Sequence, residues 1–303
     1  MNTTSNAVQE SQLGISPAVL SATRSFYWSV RRELWEYRSI YLAPASIAAV
    51  IVLGFVFVLV GLPHTVRSAM ALSPNHQRDA LAQPFEVAAG LIMAASFIVS
   101  FYYALDSLYG ERRDRSILFW KSLPVSDRTT VLAKAFVLLL VLPTISVAIT
   151  VVTEAIIVLL SSAVLAASGL SVAGFWAQLQ PMQSMMALLY HIGTVHILWY
   201  APLYTWLLLI SAWSKRAPLL WALLPPFAIV VFERVAFHTT YFQNFLQNRF
   251  GGGNDAASGN MLDPEMRMPI FHFMITPGLW FGLLFAAAFL VAATRLRRAR
   301  GPI

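Results

Sequence analysis

The chain has no cysteine and little charge: 12% of its 303 residues are Asp, Glu, Lys or Arg. Without cysteine there can be no disulfide, thiolate metal site or thiol nucleophile, although this reveals little about compartment. No G-x-x-x-x-G-K-[ST] run is present, so the usual phosphate-cradling loop of an ATPase is missing. Nor is there an H-E-x-x-H motif, which leaves zinc-protease chemistry without its helix-borne ligands. The first 40 residues lack the short isolated apolar core of a secretory signal peptide. Acidic residues are scarcer than basic ones, 14 against 21.

Apolar residues make up 58% of the chain, and mean hydropathy is +0.65. That leaves too little polar surface to cover a soluble globule, and implies an all-α integral membrane protein. A spanning helix needs roughly 20 apolar residues at a rise of about 1.5 Å each. Six stretches satisfy this: 41–62, 85–109, 129–164, 184–212, 217–237 and 273–294. The third is longer than a bilayer requires, so it must tilt, kink at Pro143 or project. Pro202 interrupts the fourth, Pro225 and Pro226 the fifth, and Pro277 enters the sixth. The organisation expected is a cytoplasmic tail and interfacial helix over 1–40, a six-helix membrane domain over 41–296 and a basic tail over 297–303.

Sixteen of the 21 basic residues fall into alternate segments between these stretches. Arg24, Arg31, Arg32 and Arg38 precede the first span. Arg112, Arg113, Arg115, Lys121, Arg128 and Lys134 border the second and third. Lys215 and Arg216 join the fourth and fifth, and Arg295, Arg297, Arg298 and Arg300 follow the sixth. Positive residues stay on the cytoplasmic side, so both termini are expected there. The same flanking pattern explains the pI near 9.9 without nucleic acid. The largest loop on the other side, 238–272, contains GGGNDAASGN, a flexible tract not expected to fold alone.

Residues Pro17–Ser39 read as an amphipathic helix. Phe26, Val30, Leu34, Tyr37 and Tyr41 share one face, with Arg24, Arg31 and Arg38 on the opposing side and Trp28 and Trp35 beside them. Such a helix lies in the membrane interface, as an anchor or as an elbow that also touches a cytoplasmic partner. The run GERRDRSILFWKSLPVSDR, residues 110–128, alternates charge with Ile117, Leu118, Phe119 and Trp120. Pro124 stops a helix there, and Ser126 or Asp127 caps the next. On charge alone this is a solvated basic loop or a short lever for a soluble partner.

Glu111-Arg112, Ser116-Ile117-Leu118, Leu123-Pro124-Val125-Ser126 and Lys134 together resemble the loop of ABC-2 type transporter permeases. That family's pattern is roughly E-R-x-x-G-T-L, then L-x-x-P-V-S, then a Lys opening the third span. Arg115-Ser116 stands here where Gly-Thr is usual. The resemblance implies a permease subunit, homodimeric or heterodimeric with a second permease chain, in a bacterial cytoplasmic membrane. Its cytoplasmic ABC ATPase subunits would carry the ATP and Mg, and no cofactor would be bound by this chain. The helix within 111–123 would be the coupling helix. Glu111, Arg112, Arg113 and Asp114 would be its charged contacts, and Ile117, Leu118 and Trp120 its apolar pegs.

Ionisable groups inside apolar stretches often mark a pathway. Glu86, Glu154, His191, His196 and Glu233 fall at related depths and are candidates for a polar vestibule, or else for interfacial groups satisfied locally. The i,i+5 spacing of the two histidines turns their rings apart, so no metal site is expected. Gly54, Gly61 and Gly90 are candidates for close helix approach. Three functions remain in view: an ATPase-driven permease, most simply an exporter, with no catalytic residue of its own; an intramembrane enzyme acting on lipid or peptide; and a non-transporting, ATPase-coupled assembly component.

Overall fold

The structure, a computed structural model, describes residues 22–123, 125–179, 185, 188–190, 192–251 and 270–303. Every regular element among these is helical. In chain order they are α1 (Ala22–Glu36), α2 (Ser39–Leu59), α3 (Leu62–Ala69), α4 (Pro74–Asp106), α5 (Tyr109–Arg113) and α6 (Ile117–Ser122). α7 (Asp127–Phe136) passes through a π-helical turn, Val137–Val141, into α8 (Leu142–Ala167), and α9 (Val172–Leu179) follows. A π-helical segment, Ile192–Trp199, precedes α10 (Ala201–Trp213). The chain ends with α11 (Pro218–Ala236), α12 (Tyr241–Phe250), α13 (Ile270–Ile275) and α14 (Pro277–Ala299).

Among the described residues, five helices are long and apolar enough to cross a membrane: Ser39–Leu59, His76–Arg113, Asp127–Ala167, Pro218–Ala236 and Pro277–Ala299. A sixth arises if Leu188–Trp199 and Ala201–Trp213 form one span, bent by 46°. Their outward faces are apolar. α11 buries only Ala222 and exposes Leu219, Leu220, Leu223, Leu224 and Phe227. A contiguous apolar surface of that extent is stable against hydrocarbon and not against water.

Proline explains the departures from straight helices. Asp127–Ala167 runs for 41 residues, roughly 60 Å at about 1.5 Å each, twice the hydrocarbon thickness, so it projects beyond it. Pro143 has no N–H to offer, and the turn before it widens: the Leu142 N–H bonds back to the Val137 carbonyl, five residues away. Pro202 falls in the first turn of α10, just after the break at Tyr200. Pro277 opens α14, so Phe273–Ile275, expected within the last span, belong instead to the separate helix α13. The 238–272 loop also differs from expectation. Its first part folds as α12, capped by Glu233, which accepts from the Tyr241 and Phe242 amides at 2.7 and 2.9 Å. Residues 252–269, with most of the glycine-rich tract, lie outside the described residues.

The main core forms where α2, α4, α7, α10 and α14 meet, around Tyr103, Leu138, Leu142, Tyr204, Leu208 and Ala293. α10 and α14 pack most extensively. A smaller cluster joins α3 and α9 to α4 and α8 through Val66, Leu81, Leu165 and Phe175. α1 lies against α7, with Phe26 edge-on to Phe136 at 5.4 Å.

Candidate functional site: a buried ion cluster beneath the α5–α6 loop

α1 turns Val30, Leu34 and Tyr37 toward the core and leaves Tyr27, Trp28 and Trp35 outside. Glu33 shares the inward face and is 1% exposed. Burying a carboxylate requires partners. Lys134, wholly buried on α7, places its Nζ 2.8 and 2.9 Å from the two Glu33 oxygens, and the Tyr103 hydroxyl donates to Glu33 at 3.0 Å. The same Nζ lies 3.1 Å from Glu111 on α5, itself 2% exposed. Arg32 bridges Glu33 and Glu111, reaching the latter at 2.8 Å, and Arg297 near the end of α14 also donates to Glu111. Arg297 faces Asp127, at the start of α7, at 3.1 Å. Two buried carboxylates thus meet three cations, with Asp127 and Glu36 at the rim.

Titration follows from that packing. Burial pushes the Glu36 carboxyl above its ordinary value even though Lys134 and Arg32 oppose the shift. Burial opposes the Arg32 charge, but Glu33, Glu111 and Glu36 outweigh it and raise the guanidinium. Burial, then Asp106, raises the Tyr37 hydroxyl, which donates to Asp106 at 3.3 Å.

The loop is stitched to every neighbour. Arg112 donates to the Ala212 and Ser214 carbonyls at 2.6 and 3.1 Å, closing the end of α10. The Ser211 hydroxyl receives the Leu108 and Tyr109 amides at 3.1 and 2.9 Å. Lys121 donates to the Arg300 carbonyl at 3.1 Å, and the Ile303 amide to that of Arg112 at 3.2 Å. The segments richest in basic residues (α1, α5–α7, the end of α10 and the end of α14) therefore gather at one end of the bundle.

Three of the residues expected to contact a partner are taken up in the chain's own packing. Glu111, Arg112 and Ile117 face inward, at 2%, 3% and 1% exposure, and hold the loop to its own chain. Arg113 and Asp114 are exposed and pair with each other at 2.9 Å. Leu118 and Phe119 are the outward apolar groups, at 58% and 60% exposure. Trp120 is half-buried under the Arg32 guanidinium, whose carbon lies 4.0 Å from the ring centre. Ser126 caps α7, accepting from the Thr129 amide at 3.1 Å. Pro124 lies outside the described residues. Arg115 has φ +59°, the left-handed region that disfavours side chains, at the position where the resembling pattern has glycine.

Among the described residues, Glu154 and Glu233 bond to none of the other pathway candidates. Glu233 is used in capping α12. Glu154 is half-buried and forms no hydrogen bond or ion pair among the described residues. His196 is buried, with Nε2 3.2 Å from the Tyr204 hydroxyl. Glu86 is half-buried on α4, and His191 lies outside the described residues. No group of three His, Asp or Glu that could hold a metal occurs among the described residues. Glu33, Arg297 and the Gly278-x-x-x-Gly282 pair on α14 stand outside the site residues that the sequence suggests. A carboxylate at position 33, between Val30, Leu34 and Tyr37 on an apolar face, was the readable signal for the first. No family model, curated protein or solved structure matches this chain.

Proposed function

We propose that the chain is the membrane permease subunit of an ABC-2 type transporter, moving its cargo outward as a separate cytoplasmic ATPase cycles. The bent Leu188–Trp213 pair counts as one of six spans on this reading, both termini are cytoplasmic, and the membrane is bacterial. α1 lies in the interface, and α5–α6 receives the partner. One observation carries the proposal: Glu111, on a short external loop, is bonded to α1, α7 and α14 at once, while the same loop presents Leu118 and Phe119 outward. A loop anchored on three sides moves as one body with the helices it grips. Two exposed apolar side chains at its tip supply the kind of contact that dominates binding strength. The intramembrane-enzyme reading needs convergent reactive groups, and Glu154 and Glu233 bond to none of the other candidates.

The test is Leu118→Asp with Phe119→Asp in the full chain, co-expressed with a cytoplasmic ABC ATPase that co-purifies with the parent chain. The double variant should keep the thermal unfolding midpoint of the parent, since both side chains are exposed, and lose co-purification of the ATPase. Undiminished co-purification with undiminished ATPase stimulation refutes the assignment of α6 as the docking element.

A further inference from the structure

Arg249 closes α12, at the end of the bundle remote from the ion cluster. An arginine at such a boundary ordinarily extends its charge into water or among headgroups. Here it is 5% exposed. It makes no ion pair among the described residues, and its Nε has no partner. One Nη reaches the Gly278 carbonyl at 3.4 Å, a long contact, and the guanidinium carbon stands 4.4 Å from the centre of the Trp199 ring. Burial pushes the group down to about 10, so it still carries its charge at neutral pH.

Its seat is shaped by glycine. A Cβ at Gly282 would overlap Nη2 and fall 2.8 Å from Cζ, whereas one at Gly278 would make an ordinary 3.6 Å contact with Trp199. The backbone beside Arg249 is tied to the same place. Trp199 Nε1 donates to the Arg249 carbonyl at 3.2 Å, and the Tyr200 hydroxyl to that of Phe250 at 2.9 Å. Trp199 and Tyr200 are where the π-helical segment gives way to α10, at the 46° bend.

We propose that Arg249 is a latch: seated between the Trp199 ring and the Gly278–Gly282 face of α14, it pins the bend before α10 to the last helix and is poised to leave that seat. The cation is poised because burial without a counter-ion disfavours the seated state, while the ring face and the hydrogen bonds of its neighbours favour it. Released, it regains solvation, and the bend and α14 are free to part. Nothing about this device requires a particular cargo or partner.

The absence of cysteine makes the test clean. Val195, 6% exposed, packs with Trp199, Phe273 and Leu279, and Val195→Cys reports on that cluster. The full chain in nanodiscs is reacted with a small water-soluble methanethiosulfonate. Adding Gly282→Ala, which evicts the guanidinium while favouring the helix itself, should raise the labelling rate about tenfold or more as the open state gains population. Arg249→Ala, which takes the guanidinium out of its seat altogether, should raise it as far. Gly278→Ala should leave it unchanged. An unchanged rate in Gly282→Ala overturns the latch. So does an unchanged rate in Arg249→Ala, which decides the matter by itself should Gly282→Ala fail to fold. No ATPase takes part in the labelling, so its outcome stands apart from that of the docking test.

Discussion

Lys134→Met is the most searching perturbation of the ion cluster. Lys134 is wholly buried and touches both buried carboxylates, Glu33 at 2.8 and 2.9 Å and Glu111 at 3.1 Å. Methionine fills much of the same volume, so packing changes little and the loss is mainly of charge. What remains is two carboxylates with 1% side-chain exposure sharing Arg32, and Arg297 on one side only. Removing one partner from a buried pair costs roughly 3–5 kcal/mol, because the other is left uncompensated. In a domain of this size that corresponds to a fall in unfolding midpoint on the order of 10 °C. Intrinsic tryptophan fluorescence of the protein in nanodiscs follows the transition. The sharper test is the second mutation. Glu33→Gln in the Lys134→Met background removes the stranded charge and should recover more than half of the loss, a coupling readable from the double-mutant cycle. A single variant within about 0.5 kcal/mol of the parent, or a double variant no better than the single, refutes the claim that Lys134 offsets the charge of the buried carboxylates.

Arg115→Gly should stabilise the protein by up to about 1 kcal/mol, since the left-handed φ penalty of an L side chain exceeds the extra chain entropy of glycine, and a shift in unfolding midpoint reports it. Glu233→Ala should leave global unfolding unchanged but speed hydrogen exchange at the Tyr241 and Phe242 amides, which lose their acceptor.

Local chemistry was legible in the sequence, and long-range pairing was not. The apolar runs locate the membrane-crossing helices, Pro143 marks the widened turn, and Ser126 marks the start of α7, because each effect acts within a few residues. The start of α14 and the break before α10 fall at Pro277 and Tyr200, points that hydropathy alone does not mark. Glu111 reads as a surface charge from its neighbours Arg112, Arg113 and Asp114. It turns inward because its partner Arg297 is 186 residues away, and no local pattern encodes that distance. Arg249 presents the same problem reversed. Its burial depends on Gly282, whose missing side chain matters only once α12 lies across α14.

α14 connects the two charged sites. Gly282 and Arg297 are 15 residues apart on one uninterrupted helix, about 22 Å at the usual rise. The two ends differ in kind. Around Glu111, cations and carboxylates satisfy one another, and such a network yields only when several bonds break together. Around Arg249 the charge is held by a ring face and a space left by glycine, and one side-chain movement empties it. A displacement imposed on the α5–α6 loop would pass through Glu111 and Arg297 into α14 without loosening the cluster. It would then be felt at the Arg249 seat, at Gly278–Gly282 and the bend before α10. If α5–α6 receives a partner as proposed, rigidity at one end and a marginal seat at the other would let a single helix carry motion across the bilayer without itself unfolding.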